Sequence, residues 1–261
     1  MEDKLITIIG SGNMASNLAY GFLKAGMKVH VNARNQQSLK YISDRYQIPV
    51  STGFENLPDD TGIYIISITD ESVSEVAKIP LLKTKINNRF TVHTSGSVAS
   101  EVLANLSTNY GVFYPLQTFT KEIASDFKHI PICIEANNGF NQDLLIKYAL
   151  KLSDDVRRIS SEQRQFIHLA AVFANNFTNR MMAIAEELLK ERNIDFNILI
   201  PLIEESARKI KLNSPGKIQT GPASRKDMKT IEQHLNLLSG NEELRTIYQT
   251  ITNNIINNNK L

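Results

Sequence analysis

The sequence predicts an α/β chain in which a mostly parallel sheet with crossover helices is followed by an all-helical part. Three observations predict it. The first 160 residues alternate short apolar runs with helical periodicity, the pattern of strands joined by crossover helices. The opening strand runs into a glycine turn and then a helix. After Arg158 strand-like runs nearly vanish and the remainder is patterned as helix. At 261 residues the chain exceeds the usual domain of about 100–200 residues, so two domains are expected, 1–158 and 159–261.

Strands are predicted at Leu5–Ile9, Lys28–Asn32, Ile63–Ile68, Phe90–His93, Gly111–Tyr114 and Ile130–Glu135. Between the first two, Asn13–Lys24 carries a helical apolar pattern that ends at Gly26. Ser160 with Gln163 makes a capping-box start, and one long helix is predicted from there to Leu189. A further helix is predicted over Asn197–Leu212, a loop at Asn213-Ser214-Pro215-Gly216, and two last helices over Lys226–Leu238 and Asn241–Ile256. The Asn-rich end, Asn253–Asn259, reads as a tail that frays.

Composition excludes several classes. With 42% hydrophobic and 21% charged residues the chain can build a packed interior. A formal net charge of +2, from 29 basic and 27 acidic residues, leaves no one-sign field to hold a nucleic-acid backbone, so nucleic acid is not expected as a partner. The single cysteine, Cys133, is expected in a strand core; it excludes an internal disulfide and a cysteine-based metal cluster. No run of about 18 apolar residues marks a membrane span. No basic segment followed by an apolar stretch opens the chain, and a cytoplasmic location is expected.

The chemistry starts at Gly10-Ser11-Gly12-Asn13-Met14-Ala15, between the first strand and the first helix. Gly10 permits a tight turn, Gly12 removes a side chain that would block a pyrophosphate, and Ala15 lets the helix lie close on the sheet. The free amides of the helix start then face the phosphates. The alternative is a plain tight turn. Sites for NAD usually carry a carboxylate about 20 residues further on, for the ribose 2′-hydroxyl. Here the second strand ends in Asn32-Ala33-Arg34-Asn35. With no acid present, and Arg34 able to pair with a 2′-phosphate, NADP is expected rather than NAD. The missing acid also argues against S-adenosylmethionine.

Ligands on such sheets bind outside the carboxyl ends of the strands. Three polar clusters fall there: Ser67-Ile68-Thr69-Asp70, His93-Thr94-Ser95-Gly96-Ser97 and Tyr114-Pro115-Leu116-Gln117-Thr118. Ser67 and Thr69 either line the cofactor or cap a helix before Glu71. His93 is either a satisfied, partly buried histidine or a catalytic one. Ser95 and Gly96 fit close approach of backbone to a ring, and Gln117 suits a substrate or an amide.

Between Phe166 and Phe177 the long helix is apolar nearly all round, which predicts burial. It nevertheless carries His168, Asn175, Asn176 and Asn179. At about 100° per residue, His168, Asn175 and Asn179 share one side, and such a stripe either lines a substrate cleft or binds a neighbouring loop or a second subunit. Thr220-Gly221-Pro222-Ala223-Ser224-Arg225-Lys226-Asp227 is a Gly-Pro loop opening a helix. It either brings Arg225 toward an anionic group or is an ordinary capped helix start.

Taken together, Gly10–Ala15, His93–Ser97, Tyr114–Phe119, His168–Asn176 and Thr220–Asp227 resemble a family of NADP oxidoreductases. In that family a Rossmann-like domain precedes a helical C-terminal domain of unknown function. The arrangement is more distantly similar to pyrroline-5-carboxylate reductase and the deazaflavin-dependent NADP oxidoreductases. The resemblance implies a helical domain that dimerises and closes the nicotinamide site, hence a homodimer. The β-hydroxyacid dehydrogenases share the layout but usually carry a catalytic lysine on the long helix. Ser161–Leu189 has none, which argues against simple hydroxyacid oxidation.

The expected function is hydride transfer between NADPH and a small C=O or C=N compound. His168 is the expected proton donor, His93 the reserve acid, Asn175 and Ser95 the substrate-orienting groups, and Arg225 the holder of an anionic substituent. The competing reading is a noncatalytic NADP-binding sensor or scaffold. A methyltransferase comes third.

Overall fold

A computed structural model describes residues 4–258 of the chain. They form two compact units, divided between Thr178 and Asn179. The first is built on one eight-stranded sheet of β1 (Leu5–Ile9), β2 (Val29–Asn32), β3 (Val50–Ser51), β4 (Thr61–Ile66), β5 (Phe90–His93), β6 (Tyr110–Pro115), β7 (Ile132–Ala136) and β8 (Val156–Arg158). The order is β3-β2-β1-β4-β5-β6-β7-β8. The six strands from β3 to β6 run parallel. β7 is antiparallel to β6, and β8 is parallel to β7.

The chain moves outward from β1 to β2 and β3, then returns to place β4 on the other side of β1. That reversal opens a crevice at the carboxyl ends of β1 and β4, where such sheets take their ligands. The helices α1 (Asn13–Lys24), α2 (Gln36–Tyr46), α3 (Asp70–Val76), α4 (Pro80–Ile86) and α5 (Gly139–Ala149) cover the sheet. Strand residues alternate between its faces. Ile6, Ile8, Ile63 and Ile65 pack with Leu18 and Phe22 of α1, Ile42 of α2 and Leu145 of α5. Ile9, Tyr64 and Ile66 pack on the opposite face with Val73 of α3 and Leu82 and Ile86 of α4. A sheet covered on both faces needs apolar residues at consecutive positions, which is what Leu5–Ile9 and Ile63–Ile66 provide.

β1 and β5 fall where the sequence predicts them, and Cys133 is buried in β7. β3 and β8, at two and three residues, are too short to show a period of two, and neither was expected. The reversal of β7 also carries no signal in its apolar run.

α6 (Ser161–Ala171) starts at the expected capping box. Ser160 Oγ accepts from Gln163 N, and the Gln163 side chain accepts from Ser160 N. The expected uninterrupted helix to Leu189 is not formed, because Val172–Phe177 is wound as a π-helix before α7 (Thr178–Lys190) resumes. The wider turn changes the phase of everything beyond it, so the α-helical spacing that put Asn179 beside His168 and Asn175 does not hold. Burial was also expected from Phe166 to Phe177. Instead Phe166, Leu169, Phe173 and Phe177 are exposed, at 68% for Phe166, because the apolar residues circle the helix and the sheet covers only one side.

The second unit carries helices and connecting turns but no strand among its described residues. α7 continues into it, followed by α8 (Ile200–Ile210), α9 (Pro222–Arg225), α10 (Met228–Leu237) and α11 (Glu242–Asn258). α8 begins three residues later than expected, after a 3-10 turn at Phe196–Leu199. The frayed tail is a correction: α11 runs through Asn258, because Tyr248, Ile251, Thr252 and Ile255 keep helical spacing and line one apolar hollow of about 280 Å³. Asn259 lies outside the described residues.

Candidate functional site

The turn after β1 has a shape only glycine allows. Gly10 has φ of 131°, and a Cβ there would sit 1.9 Å from the backbone carbonyl oxygen of Ser67 at the end of β4. Its N–H donates to Asn32 O at 2.8 Å, so the turn is held between β2 and β4. Gly12 is the N-cap of α1, with no side chain capping the helix and no acid in the first turn. Its missing Cβ would point into open space. A helix start with unsatisfied amides, a favourable dipole and no blocking side chain fits a diphosphate. Ser11 and Met14 are half-buried and Asn13 exposed around it, and Ala15 is buried beneath.

At the end of β2, Asn32 is buried and spends its side-chain amide on Ser51 Oγ and Gly53 O, both at 2.8 Å. Asn35 caps α2 by accepting from Ser38 N at 2.8 Å, which removes its carbonyl oxygen from ligand duty. Arg34 stands exposed beside it, and among the described residues no carboxylate pairs with it. α2 has no acid in its first turn.

The rim beyond β4 and β5 is hydrogen-bonded mainly to itself. Thr94 Oγ1 donates to the buried Ser67 Oγ at 3.2 Å. Thr69 is the N-cap of α3, but its hydroxyl donates to Ser72 Oγ rather than satisfying the helix amides. Ser95 Oγ accepts from Ser97 N at 3.1 Å and Val98 N at 3.0 Å, so it shapes the loop and is not presented to a substrate. The Ser97 hydroxyl donates to Asp70 in a short contact.

His93 is corrected from reserve acid to scaffold. It is 0% exposed; Nδ1 accepts from Ser95 N at 3.1 Å and Nε2 faces Ala99 O at 3.3 Å. Burial, reinforced by the Arg164 guanidinium, pushes its pKa down to about 4. A neutral ring with both nitrogens engaged has no proton to deliver.

His168, on α6, meets Tyr114 at the end of β6. The Tyr114 hydroxyl and His168 Nδ1 are 3.1 Å apart, and the rings meet edge to face. Burial pushes the Tyr114 phenol up to about 12, so the hydroxyl keeps its proton. Gly96 makes room for the pair: a Cβ there would lie 2.7 Å from His168 Nδ1 and 2.9 Å from Tyr114 Cζ. Sequence reasoning placed Gly96 against a cofactor ring, whereas its packing here is against this pair.

One turn before His168 lies a residue the sequence reading missed. Arg164 is fully buried, donating to Glu135 Oε2 at 2.7 Å, to Ser161 Oγ at 3.1 Å and to the Val98 carbonyl. Ser161 Oγ also donates to Glu135 Oε2 at 2.6 Å and accepts from Ser100 N at 3.1 Å. This network ties α6 to β7 and to the loop after β5. The signal in the sequence was Glu135, an acid closing an otherwise apolar strand.

These pieces enclose a cleft of about 470 Å³, within the size range of small-molecule sites. Its lining includes Asn13 and Met14 from the glycine turn, Gln117 and Thr118 from the loop after β6, and His168 and Asn175 from the helix. Asn176 lines it as well. In the second unit, Gly221 has φ of 105°, α9 makes one turn, and exposed Arg225 closes it before left-handed Lys226. Asp227 caps α10, accepting from Thr230 N at 3.2 Å.

A doubly covered parallel sheet, reversing its order beside a glycine turn that opens a bare helix start, defines a dinucleotide-binding protein of the oxidoreductase class. Residues 5–87 match the family described as NADP oxidoreductase, coenzyme F420-dependent, and residues 130–255 match a domain of unknown function, DUF2520. A crystal structure from Bacteroides fragilis, described as a "putative NADP oxidoreductase", is 37% identical, with 98% of this chain and 99% of that one covered and a TM-score of 0.91. This chain belongs to that family of NADP oxidoreductases. The same fold is seen in the 1-pyrroline-5-carboxylate reductase of Streptococcus pyogenes, at 15% identity over 100% and 99% of the two chains and a TM-score of 0.65. It recurs in the reductive aminase of Aspergillus terreus, in complex with NADPH and ethyl levulinate, at 12% identity over 98% and 94% and a TM-score of 0.69. No curated protein matches the chain in sequence. No helix among the described residues is long and apolar enough to cross a membrane.

Proposed function

We propose that the chain is a reductase of a small C=O or C=N compound, with His168 as the proton donor. The observation that carries this is the single cleft shared by the nucleotide turn and the imidazole. NADPH supplies the hydride when bound. The amides at Gly12–Ala15 hold the diphosphate, and Arg34 takes the 2′-phosphate. In the imidazolium form that delivers a proton, His168 Nδ1–H donates to the Tyr114 hydroxyl oxygen, which orients the ring and leaves Nε2–H to make the transfer. Asn175 orients the substrate. Relatives of this fold that are named as imine, pyrroline-carboxylate or amine-forming reductases support a C=N or C=O substrate. The test is NADPH oxidation by the purified protein over a panel of cyclic imines, ketoacids and deazaflavins. On any substrate found, His168→Ala lowers kcat by about 10²–10⁴, the usual worth of a positioned proton donor. Unchanged turnover in that variant removes His168 from the chemistry. Tight NADPH binding with no turnover over the whole panel favours a sensor instead.

A second copy of this chain is the partner that suits its apolar surface. Phe166 and Phe173 in the first unit, and Ile198 and Leu202 in the second, are each more than 60% exposed. Large apolar side chains at that exposure on a helix mark an interaction surface, in each unit taken by itself. The resemblance to dimerising reductases supports a homodimer. Light scattering that gives a monomer at micromolar concentration counts against it.

A further inference from the structure

The loop that follows β6, residues 116–126, is anchored far from its own strand. Buried Asn17 of α1 donates to Thr120 O at 2.8 Å and accepts from Ser125 N at 3.0 Å. The Tyr41 hydroxyl of α2 donates to Lys121 O at 3.0 Å, and Arg45 donates to Glu122 O at 3.1 Å. These contacts fix where the Lys121 side chain is delivered. Its ammonium donates to Ser38 Oγ at 3.2 Å, in the first turn of α2.

Ser38 belongs to the same cap as Asn35, the residue after Arg34. The Lys121 ammonium is therefore delivered to the turn that presents Arg34. Its partner is a neutral hydroxyl, and among the described residues no carboxylate pairs with it or with Arg34. Two cations without a carboxylate at one corner raise the local positive potential and so favour an anionic ligand there. The helix start between them, with no acid in its first turn, favours the same sign of ligand.

We propose that Lys121 is the second cation of the 2′-phosphate site and a determinant of the preference for NADPH over NADH. It rests on the reading of Arg34 given above. The residue reaches the site from the loop that also supplies Gln117 and Thr118 to the cleft, and not from the β2–α2 turn where such cations are sought in sequence. A half-buried lysine held by its backbone loses less freedom on engaging a phosphate than one on a free surface.

The experiment is calorimetric titration of wild type, Lys121→Ala, Lys121→Arg and Arg34→Ala with NADPH, NADH, 2′,5′-ADP and 5′-ADP, with thermal melts to show that each variant is folded. Lys121→Ala is expected to weaken NADPH and 2′,5′-ADP about tenfold, equivalent to about 1.4 kcal/mol, while NADH and 5′-ADP are unchanged and Lys121→Arg restores the loss. Equal weakening of the phosphorylated and unphosphorylated ligands would reduce Lys121 to a loop-holding residue and overturn the proposal. If Arg34→Ala loses the preference and Lys121→Ala keeps it, the proposal fails while the assignment of Arg34 stands. If wild type does not distinguish NADPH from NADH, the 2′-phosphate reading fails and takes Lys121 with it.

Discussion

Arg164 is where the site is most vulnerable to a change that touches no ligand. Replacing it with alanine leaves the Glu135 carboxylate with Ser161 as its one remaining hydrogen-bond donor among the described residues, and strips the Val98 carbonyl of its donor. Removing one partner of a buried ion pair costs about 3–5 kcal/mol. Arg164 is 1% exposed in its side chain but Glu135 is 20% exposed, so water reaches the abandoned carboxylate and the lower end, about 3 kcal/mol, is expected. For a chain of this size that is a fall in Tm of about 6–12 °C. Thermal and urea unfolding of Arg164→Ala give the cost directly, and the double variant Arg164→Met/Glu135→Leu separates charge from packing. Replacing a whole buried pair by apolar residues is often neutral, so the double variant should recover most of the loss. A single variant within about 0.5 kcal/mol of wild type, the range of an ordinary surface substitution, would refute the reasoning. Because α6 carries His168 four residues on, Arg164→Ala should also lower kcat with little change in the KM for NADPH.

Three further outcomes follow from the same contacts. His93 binds a proton at about 4 when folded against 6.5 when free, so below pH 6.5 the unfolded chain is protonated first and the fold loses stability until about pH 4. Between pH 7 and 4.5 the loss is about 2 kcal/mol, read as the difference in urea midpoints between those pH values for wild type and His93→Gln, and an equal pH slope in both would rule His93 out as its source. Gly10→Ala puts a methyl group into the Ser67 carbonyl, a backbone atom that cannot step aside. NADPH affinity should therefore fall by more than about tenfold, or about 1.4 kcal/mol, in whatever folded protein is recovered, and wild-type affinity would show the turn to be elsewhere. Tyr114→Phe keeps the ring packing and removes the hydroxyl from His168 Nδ1. It should lower kcat about tenfold and alter its pH profile while the KM for NADPH holds, and identical profiles would make the pair structural only.

Much of this was legible in the sequence, for identifiable reasons. The apolar runs Leu5–Ile9 and Phe90–His93, the glycine turn and the Ser160 capping box are local signals, each read within a few residues. They were enough to point to a mostly parallel sheet, the crevice and the class of ligand, though not to β3, β8 or the reversal of β7. What stayed hidden depends on distance along the chain. Arg164 and Glu135 lie 29 residues apart, and Lys121 and Ser38 83 apart, so no window of sequence contains either pair. His93 and Ser95 look like active-site residues because polar groups at strand ends often are. Here their partners are the loop's own amides, which residue type alone does not reveal.

The π-helical turn is the more instructive difference, since it changes what the sequence pattern means. An α-helical reading puts His168, Asn175 and Asn179 on one side, and it puts a run of phenylalanines around the same axis. Winding Val172–Phe177 more loosely moves the register after His168, so Asn175 and Asn176 both line the cleft. π-helical turns inside α-helices are rare and frequently fall at functional sites. The Arg164–Glu135 network fixes the helix upstream, so any rewinding of Val172–Phe177 is taken up beyond it and leaves His168 in place. The side-chain network therefore does two things: it sets the height of His168 over the cleft, and it holds the start of the segment whose winding sets the positions of the two asparagines.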